Sequence, residues 1–376
     1  MKILHIITGL NDGGAEAVLY RLCSRDELNQ HYVACLSGTG KYSSMLEALG
    51  VLVTTLNMSP GRPSPLAFIR LVRLLRREKP DIVQTWMYHG DLFGGLAARL
   101  AGIRSVVWGI HNTTLEPGKS KKTTIWIAKL LAKLSWWVPA RILVCAQRAM
   151  DVHEALGYSR NKMRFIPNGY DLVDFQPGLD PQGEMKASLV PDQSIPLSGT
   201  VGRFDPQKDH ANLLDALVIL RNRGVQFQFV LVGTGLDPSN PEIMEWIAQH
   251  GLDDYVQLLG QRDDIPSIMN ALDLHVLPSA YGEAFPNVVA EAMACGTPCV
   301  VTDVGDAAYI VGETGWVVPP RDANALAGAI GAALEEVNDV DKSNERSRHA
   351  RSRIEEHFSI ERMVAAYTES WRSVVE

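Results

Sequence analysis

Cysteine is scarce in this 376-residue chain: Cys23, Cys35, Cys145, Cys295 and Cys299 are the whole supply, an odd number in apolar contexts without metal-ligand spacing. That excludes a disulfide framework and favours reduced, buried thiols, as in a cytoplasmic protein. No uncharged apolar run of about 18 residues occurs, so no transmembrane span is expected. The opening stretch is basic then apolar, but too short for a signal-peptide core before Asn11-Asp12-Gly13-Gly14 follows. It reads as a buried first strand. Aromatic residues make up 7%, and none interleave along a basic strand. With no recognised nucleic-acid motif either, nucleic acid is not an expected partner.

What is present is ordinary globular material, 46% hydrophobic and 21% charged, long enough for two separately buried cores. Charge is uneven. Residues 1–165 hold 22 Lys and Arg against 11 Asp and Glu, a balance of +11; the remainder holds 14 against 32, a balance of −18. A basic front half in an acidic protein points to an anionic partner for that half, and an anionic membrane surface is the better candidate.

Apolar runs alternate with helical patterns along the whole chain. Strands are expected at 3–8, 32–36, 51–56, 82–84, 106–109, 142–145 and 163–166, with helices notably at 15–24, 66–77 and 91–101. A polar, irregular stretch at 171–195 reads as a linker. The alternation then restarts, with strands at 197–201, 227–232, 256–259, 274–277 and 299–302 and helices near 209–222, 241–250, 264–270, 286–295 and 323–336. This is the pattern of parallel βαβ units in two doubly wound halves.

The richest stretch is Tyr-Gly-Glu-Ala-Phe-Pro-Asn-Val-Val-Ala-Glu-Ala-Met-Ala-Cys-Gly-Thr-Pro, residues 281–298. Val288, Val289, Ala292 and Met293 recur at helical spacing, Pro286 suits a first turn, and Gly296 with Pro298 ends the helix. Glu283 therefore sits at or before the helix start and Glu291 about two turns further on. Helix-start amides attract anions, and carboxylates accept hydrogen bonds from hydroxyls. Two solvated acids on an amphipathic helix are the commoner fate of such spacing taken alone. Phe285-Pro286-Asn287 between them and Ala-Met-Ala-Cys-Gly-Thr-Pro behind them favour a site.

This Glu-x7-Glu stretch closely resembles the signature of the retaining glycosyltransferases of family 4. The resemblance implies an α/β protein of the GT-B fold, two Rossmann-like doubly wound domains facing across a cleft. It covers essentially the whole chain: an acceptor-side domain over 1–170, the linker 171–195, a nucleotide-sugar domain over 196–358, and a last helix, 359–376, returning to the first domain. By the same resemblance Glu283 contacts hydroxyls of the donor sugar, Glu291 holds the ribose, and Ala284, Phe285, Pro286 and Asn287 lie at the donor.

Gly199-Thr-Val-Gly202-Arg203-Phe-Asp-Pro-Gln-Lys208 closes the first strand of the second half. Two cations on the turn after a strand point into the crevice where open α/β sheets bind ligands, Arg203 able to grip two phosphate oxygens and Lys208 supplying a point charge. This is similar to the family's Gly-Arg…Lys-Gly motif, whose cations stabilise the departing diphosphate. Asp209 stands where the family usually has Gly. Gly13-Gly14 opens a helix after the first strand and lets backbone amides approach phosphate, although it is no Gly-x-Gly-x-x-Gly fingerprint.

His111, just past a strand in Trp-Gly-Ile-His, resembles the family position whose imidazole meets the donor sugar; a loop-capping role is the plainer alternative. His89 and Asp91 follow another strand, and for them an acceptor contact and a plain structural role stand about even. Gly233-Thr-Gly235 resembles the turn under the nucleotide, and the loop with Arg262 the one whose backbone pairs with the base. Asp339-Val-Asp341 matches a metal-binding Asp-x-Asp of other glycosyltransferases, but in a polar connection a solvated charge run is the better reading.

Residues 119–138 form a basic amphipathic helix, with Lys122, Lys129 and Lys133 expected on one face and Trp126, Leu130, Leu134, Trp137 and Val138 on another. Lying in a membrane interface and covering the sheet with its lysines solvated remain about equal readings. Together these features imply a retaining, metal-independent transferase with no resident cofactor, taking a nucleotide-diphosphate sugar, UDP-linked by expectation. Its acceptor would be a glycan or polyprenyl-linked glycan of the cell surface, met in the cytoplasm at the membrane's inner face. The resemblance further implies attack from the leaving-group side, a phosphate oxygen taking the acceptor's proton. A sugar-nucleotide epimerase on the same fold, or a non-catalytic sugar-nucleotide-binding partner, is the alternative.

Overall fold

The computed structural model describes residues 1–11, 13–58, 64–113, 115, 120–179, 183–190 and 192–376. The chain forms two compact units, Met1–Gly169 with Ile360–Glu376, and Tyr170–Ser359.

The first unit is built on seven strands, β1 (Lys2–Ile7), β2 (Gln30–Cys35), β3 (Leu52–Thr55), β4 (Ile82–Trp86), β5 (Val106–Ile110), β6 (Arg141–Val144) and β7 (Met163–Phe165). All pairs are parallel, in the order β3-β2-β1-β4-β5-β6-β7. β1, β4 and β5 are near-continuous apolar runs because helices cover both faces of such a sheet. The direction of winding reverses between β1 and β4, and that switch point opens a crevice at the carboxyl ends of those strands. The Ile360–Val375 helix belongs to this unit. Its Tyr367 and Trp371 are buried, and the Trp371 indole donates to Gln84 Oε1 at 3.0 Å.

The second unit holds β8 (Leu197–Val201), β9 (Gln228–Val232), β10 (Val256–Gly260), β11 (Leu274–Leu277), β12 (Cys299–Thr302) and β13 (Trp316–Val318). They form a parallel sheet ordered β10-β9-β8-β11-β12-β13, its switch point between β8 and β11. The described residues of 170–195 cluster with this unit, and Glu184–Leu189 there are helical.

Three readings are corrected. The helix expected from 91 begins at Met87, whose φ of +65° turns the chain directly out of β4. The polar connection around 339–341 is the start of an 18-residue helix, Val340–His357. Asp339 caps it, accepting from the Lys342 amide and pairing with the Lys342 ammonium. The third concerns the Lys122–Leu134 helix, which turns Ala128, Leu131 and Ala132 inward. Trp126 is 65% exposed and shares the outward stripe with Lys122, Lys129 and Lys133, since spacings of four, three and four residues stay on one face. Val138 is buried, while Trp136 and Trp137 are exposed. Lys119 lies outside the described residues. All five cysteines are buried thiols, none of them in a disulfide.

Candidate active site

In the second unit the candidate residues lie at the ends of β8 and β11. The chain leaves β8 through Gly202 and Arg203 into a single helical turn, Pro206–Lys208, capped by the Asp205 side chain. Asp209 follows at φ +51°, ψ +48°. That left-handed conformation is why glycine suits the position and why Asp, among the more tolerant residues, can replace it. The Gln207 carbonyl accepts from the Ala280 amide at 2.9 Å, tying this turn to the loop after β11.

That loop delivers Glu283 beside Lys208, Oε1 to Nζ 2.7 Å, with Ser279 Oγ donating to the same oxygen at 2.7 Å. Thr302 on β12 donates to the Ser279 carbonyl at 2.6 Å. Burial alone would raise the Glu283 carboxyl. The Lys208 charge, with hydrogen bonds from Lys208, Ser279 and Gln207, outweighs burial and holds it below the ordinary carboxylate value. His275 on β11 is buried, and burial followed by the Lys208 charge lowers its pKa to about 3, so it adds no competing cation.

Gly305, at φ +60°, lies against the Glu283 carbonyl, which an added Cβ would meet at 2.2 Å. The neighbouring Asp306 amide donates to Ala284 O at 2.9 Å. Gln207, Ser279, Thr302, Gly305 and Asp306 thus shape the loop; sequence reasoning held Gln207 only as part of the Arg203–Lys208 motif and missed the other four. The Gly-Asp pair just after β12 was the available signal.

The helix after this loop runs Asn287–Ala294, with Pro286 as its cap residue rather than inside it. Thr297 N donates to Ala292 O and Gly296 N to Met293 O, both at 3.0 Å, closing it with the glycine expected there. Glu291 is buried on this helix. The Phe285 ring packs between Tyr170 and Phe358, and the Tyr170 hydroxyl donates to Asn287 Oδ1 at 2.6 Å. Both side chains are therefore occupied structurally.

Gly233 follows β9 at φ +145°, where a Cβ would lie 2.0 Å from the Gly202 carbonyl, so the two glycine turns stack directly. Phe204 N donates to Thr234 O at 2.8 Å, and Gly235 sits at φ +78°. Arg203 is largely exposed beside Asp205, and Arg262 makes a bidentate pair with Asp264 at 2.8 and 2.6 Å.

In the first unit Gly13 caps the Gly14–Arg25 helix after β1. His111 follows β5, and burial lowers its pKa to about 4, keeping the imidazole neutral near pH 7. His89 lies on the first turn of the Met87–Leu100 helix, its pKa lowered by burial and by Lys121. Asp91 does not reach a surface. It is fully buried, accepts from Thr85 Oγ1 at 2.5 Å and from the Gly109 amide, and burial raises its pKa well above the usual range. An acceptor contact by Asp91 is thereby replaced by a role inside the β4–β5 packing. Among the described residues no helix is long and apolar enough to cross a membrane.

Residues 12–174 match the profile of Glycosyltransferase Family 4, and residues 196–336 that of Glycosyl transferases group 1. The chain is 31% identical over 311 residues to the UDP-Gal:alpha-D-GlcNAc-diphosphoundecaprenol alpha-1,3-galactosyltransferase of Escherichia coli, covering 79% of this chain and 76% of that one. EpsF of Bacillus subtilis, named as a glycosyltransferase, is 32% identical over 311 residues, covering 80% and 79%. Among solved structures, Anabaena Alr3699/HepE in complex with UDP matches with a TM-score of 0.86 at 24% identity, over 99% of this chain and 100% of that one. Fold and relatives define a glycosyltransferase of the GT-B class, a hexosyltransferase. Within that class, the chain belongs to glycosyltransferase family 4.

Proposed function

We propose that this enzyme transfers a hexose or N-acetylhexosamine, with retention, from a UDP-linked sugar to a lipid-linked or glycan acceptor in cell-surface polysaccharide synthesis. The observation that carries the reading is the Lys208–Glu283 pair at the β8–β11 switch point, together with relatives whose names include a UDP-Gal donor and a diphosphoundecaprenol acceptor. Lys208 and Arg203 stabilise charge developing on the departing diphosphate, with the Gly13 and Gly14 amides adding oriented donors. Glu283 accepts from hydroxyls of the donor sugar, Glu291 from the ribose, and neutral His111 meets the sugar; His89 faces the acceptor. The backbone of Gly202, Gly233, Gly235, Ala284, Pro286 and the Arg262 loop surrounds the nucleotide.

Cationic side chains supply the charge that a divalent ion supplies elsewhere, so no metal is required. The outward Lys122-Trp126-Lys129-Lys133 stripe, with Trp136 and Trp137, supports docking of the enzyme on an anionic membrane face. The test is a mass-spectrometric screen of nucleotide sugars, with excess chelator and with or without lipid-linked acceptors. Acceptor-dependent release of UDP with a lengthened glycan supports the reading. Interconversion of the sugar nucleotide without UDP release would indicate an epimerase, binding without consumption a non-catalytic partner, and chelator-blocked transfer rescued by magnesium a metal enzyme.

A further inference from the structure

One face of Trp86, at the end of β4, lies on the His111 imidazole with ring centroids 5.1 Å apart and planes within 21°. Tyr367 of the returning C-terminal helix also stacks on Trp86, at 6.1 Å and 12°. Trp86 is fully buried, and its indole N–H donates to His5 Nδ1 at 3.2 Å. An indole nitrogen can only donate, so His5 Nδ1 carries no proton. Burial is the largest cause lowering the His5 pKa well below its ordinary value, so the ring keeps one proton, on Nε2. That nitrogen lies 2.9 Å from His31 Nδ1, which must accept. The His31 proton then sits on Nε2, 3.2 Å from Asp26 Oδ2. Asp26 is itself held by the Leu28 amide and by Asn29 Nδ2, at 3.0 and 2.7 Å.

Every donor in this series points the same way, from indole to carboxylate. Cys23 Sγ lies within 4.8 Å of both imidazole nitrogens, so the cluster has the atom types of a metal site. However, the His5 nitrogen facing His31 carries a proton, and burial raises the thiol pKa far above neutrality. Hydrogen bonds from Trp86 to His5 and from His5 to His31, with the Asp26 carboxylate 3.2 Å from His31 Nε2, hold the histidines as they stand.

We infer that Trp86 is a positioning residue for His111: the ring stack fixes the imidazole plane, and the Trp86–His5–His31–Asp26 series with Tyr367 fixes Trp86. The inference rests on the donor-sugar role proposed for His111. It assigns a purpose to two buried histidines and a buried tryptophan, and a small error in a sugar-facing group is costly to turnover.

Nitrogen-15 histidine NMR on the full-length enzyme tests the series without any substrate. His5 should be the Nε2–H tautomer and His31 should have an unprotonated Nδ1. An Nδ1–H tautomer at His5 would overturn the series. His111 ring protons should show a ring-current shift that Trp86→Phe largely keeps and Trp86→Leu abolishes; an unmoved shift in Trp86→Leu would sink the stack.

Kinetics then separates the two claims. Trp86→Leu should lower kcat about tenfold while UDP affinity, by calorimetry, stays within twofold, and Trp86→Phe should restore most of kcat. In a His111→Ala background, Trp86→Leu should add less than twofold. A full further tenfold loss there would make Trp86 merely structural. Unchanged turnover in His111→Ala would refute the role of His111 while the NMR result still decides the stack.

Discussion

Lys208 Nζ and Glu283 Oε1 stand 2.7 Å apart with their side chains only 13% and 9% exposed, although 75 residues separate them in sequence. The cation proposed for the diphosphate and the carboxylate proposed for the sugar form one ion pair. The Lys208 charge holds the Glu283 carboxyl below its ordinary value in a shielded place, and the pair fixes the direction of both groups.

Removing one member of a shielded pair strands the other charge, at a cost of about 3 to 5 kcal/mol. Lys208→Met should therefore lower unfolding free energy toward that range in urea titrations, and Lys208→Met with Glu283→Leu should cost less than the two single changes combined. The Glu283 pKa is depressed in the folded state, so its contribution is complete above the unfolded carboxylate value of about 4.3. It disappears as pH falls through the lower folded value. The stability gap between wild type and Glu283→Gln should accordingly close in acid; a gap that stays constant from pH 7 to pH 3 would contradict the pair's charge.

The two glutamates should separate by ligand. Glu291→Ala should weaken binding of UDP and of the UDP-sugar alike, because the ribose is common to both. Glu283→Ala should leave UDP affinity nearly intact and impair only sugar-nucleotide use. Isothermal calorimetry with UDP alone decides, and undiminished affinity in Glu291→Ala removes the ribose assignment.

Asp209 offers a backbone test. At φ +51°, a β-branched side chain meets its own carbonyl, a penalty of about 1 to 2 kcal/mol per residue. Asp209→Val should be less stable than Asp209→Gly by roughly that amount, with Asp209→Gly retaining turnover because Lys208 keeps its place. Equal stability of the two variants would show that the turn relaxes freely.

Much of this architecture is legible in the sequence itself. β8 and β11 match their expected spans to the residue, since buried parallel strands are short and bracketed by turn residues. β13 escapes such a reading because three residues between Gly315 and Pro319 carry no periodicity. The Val340–His357 helix escapes it for a different reason. Only Ala350 and Ile354 of it are buried, so no apolar stripe marks it, and contacts such as the Arg346–Glu336 bidentate pair hold it instead. The candidate site is legible as residue types on strand ends, but which carboxylate meets which cation depends on loop paths across two strands. Asp91 shows the limit: its spacing resembles that of an exposed site residue, while its burial follows from packing against Thr85 and Gly109.

The outward stripe of the Lys122–Leu134 helix carries the last prediction. Lysine ammoniums near anionic lipid contribute about 1 kcal/mol each before screening, and exposed tryptophans settle at the headgroup boundary. Three lysines with Trp126, Trp136 and Trp137 suffice for reversible docking. The enzyme should float with vesicles containing phosphatidylglycerol and release progressively as salt rises. Lys122, Lys129 and Lys133 changed together to Gln should lower flotation and flatten its salt dependence, leaving activity on a short soluble acceptor unchanged. Trp126→Ala with Trp137→Ala should weaken the part of binding that survives high salt, which charge alone cannot provide. Should the triple lysine variant float as well as the parent, the stripe is a solvated helix face and the basic front half serves another anion.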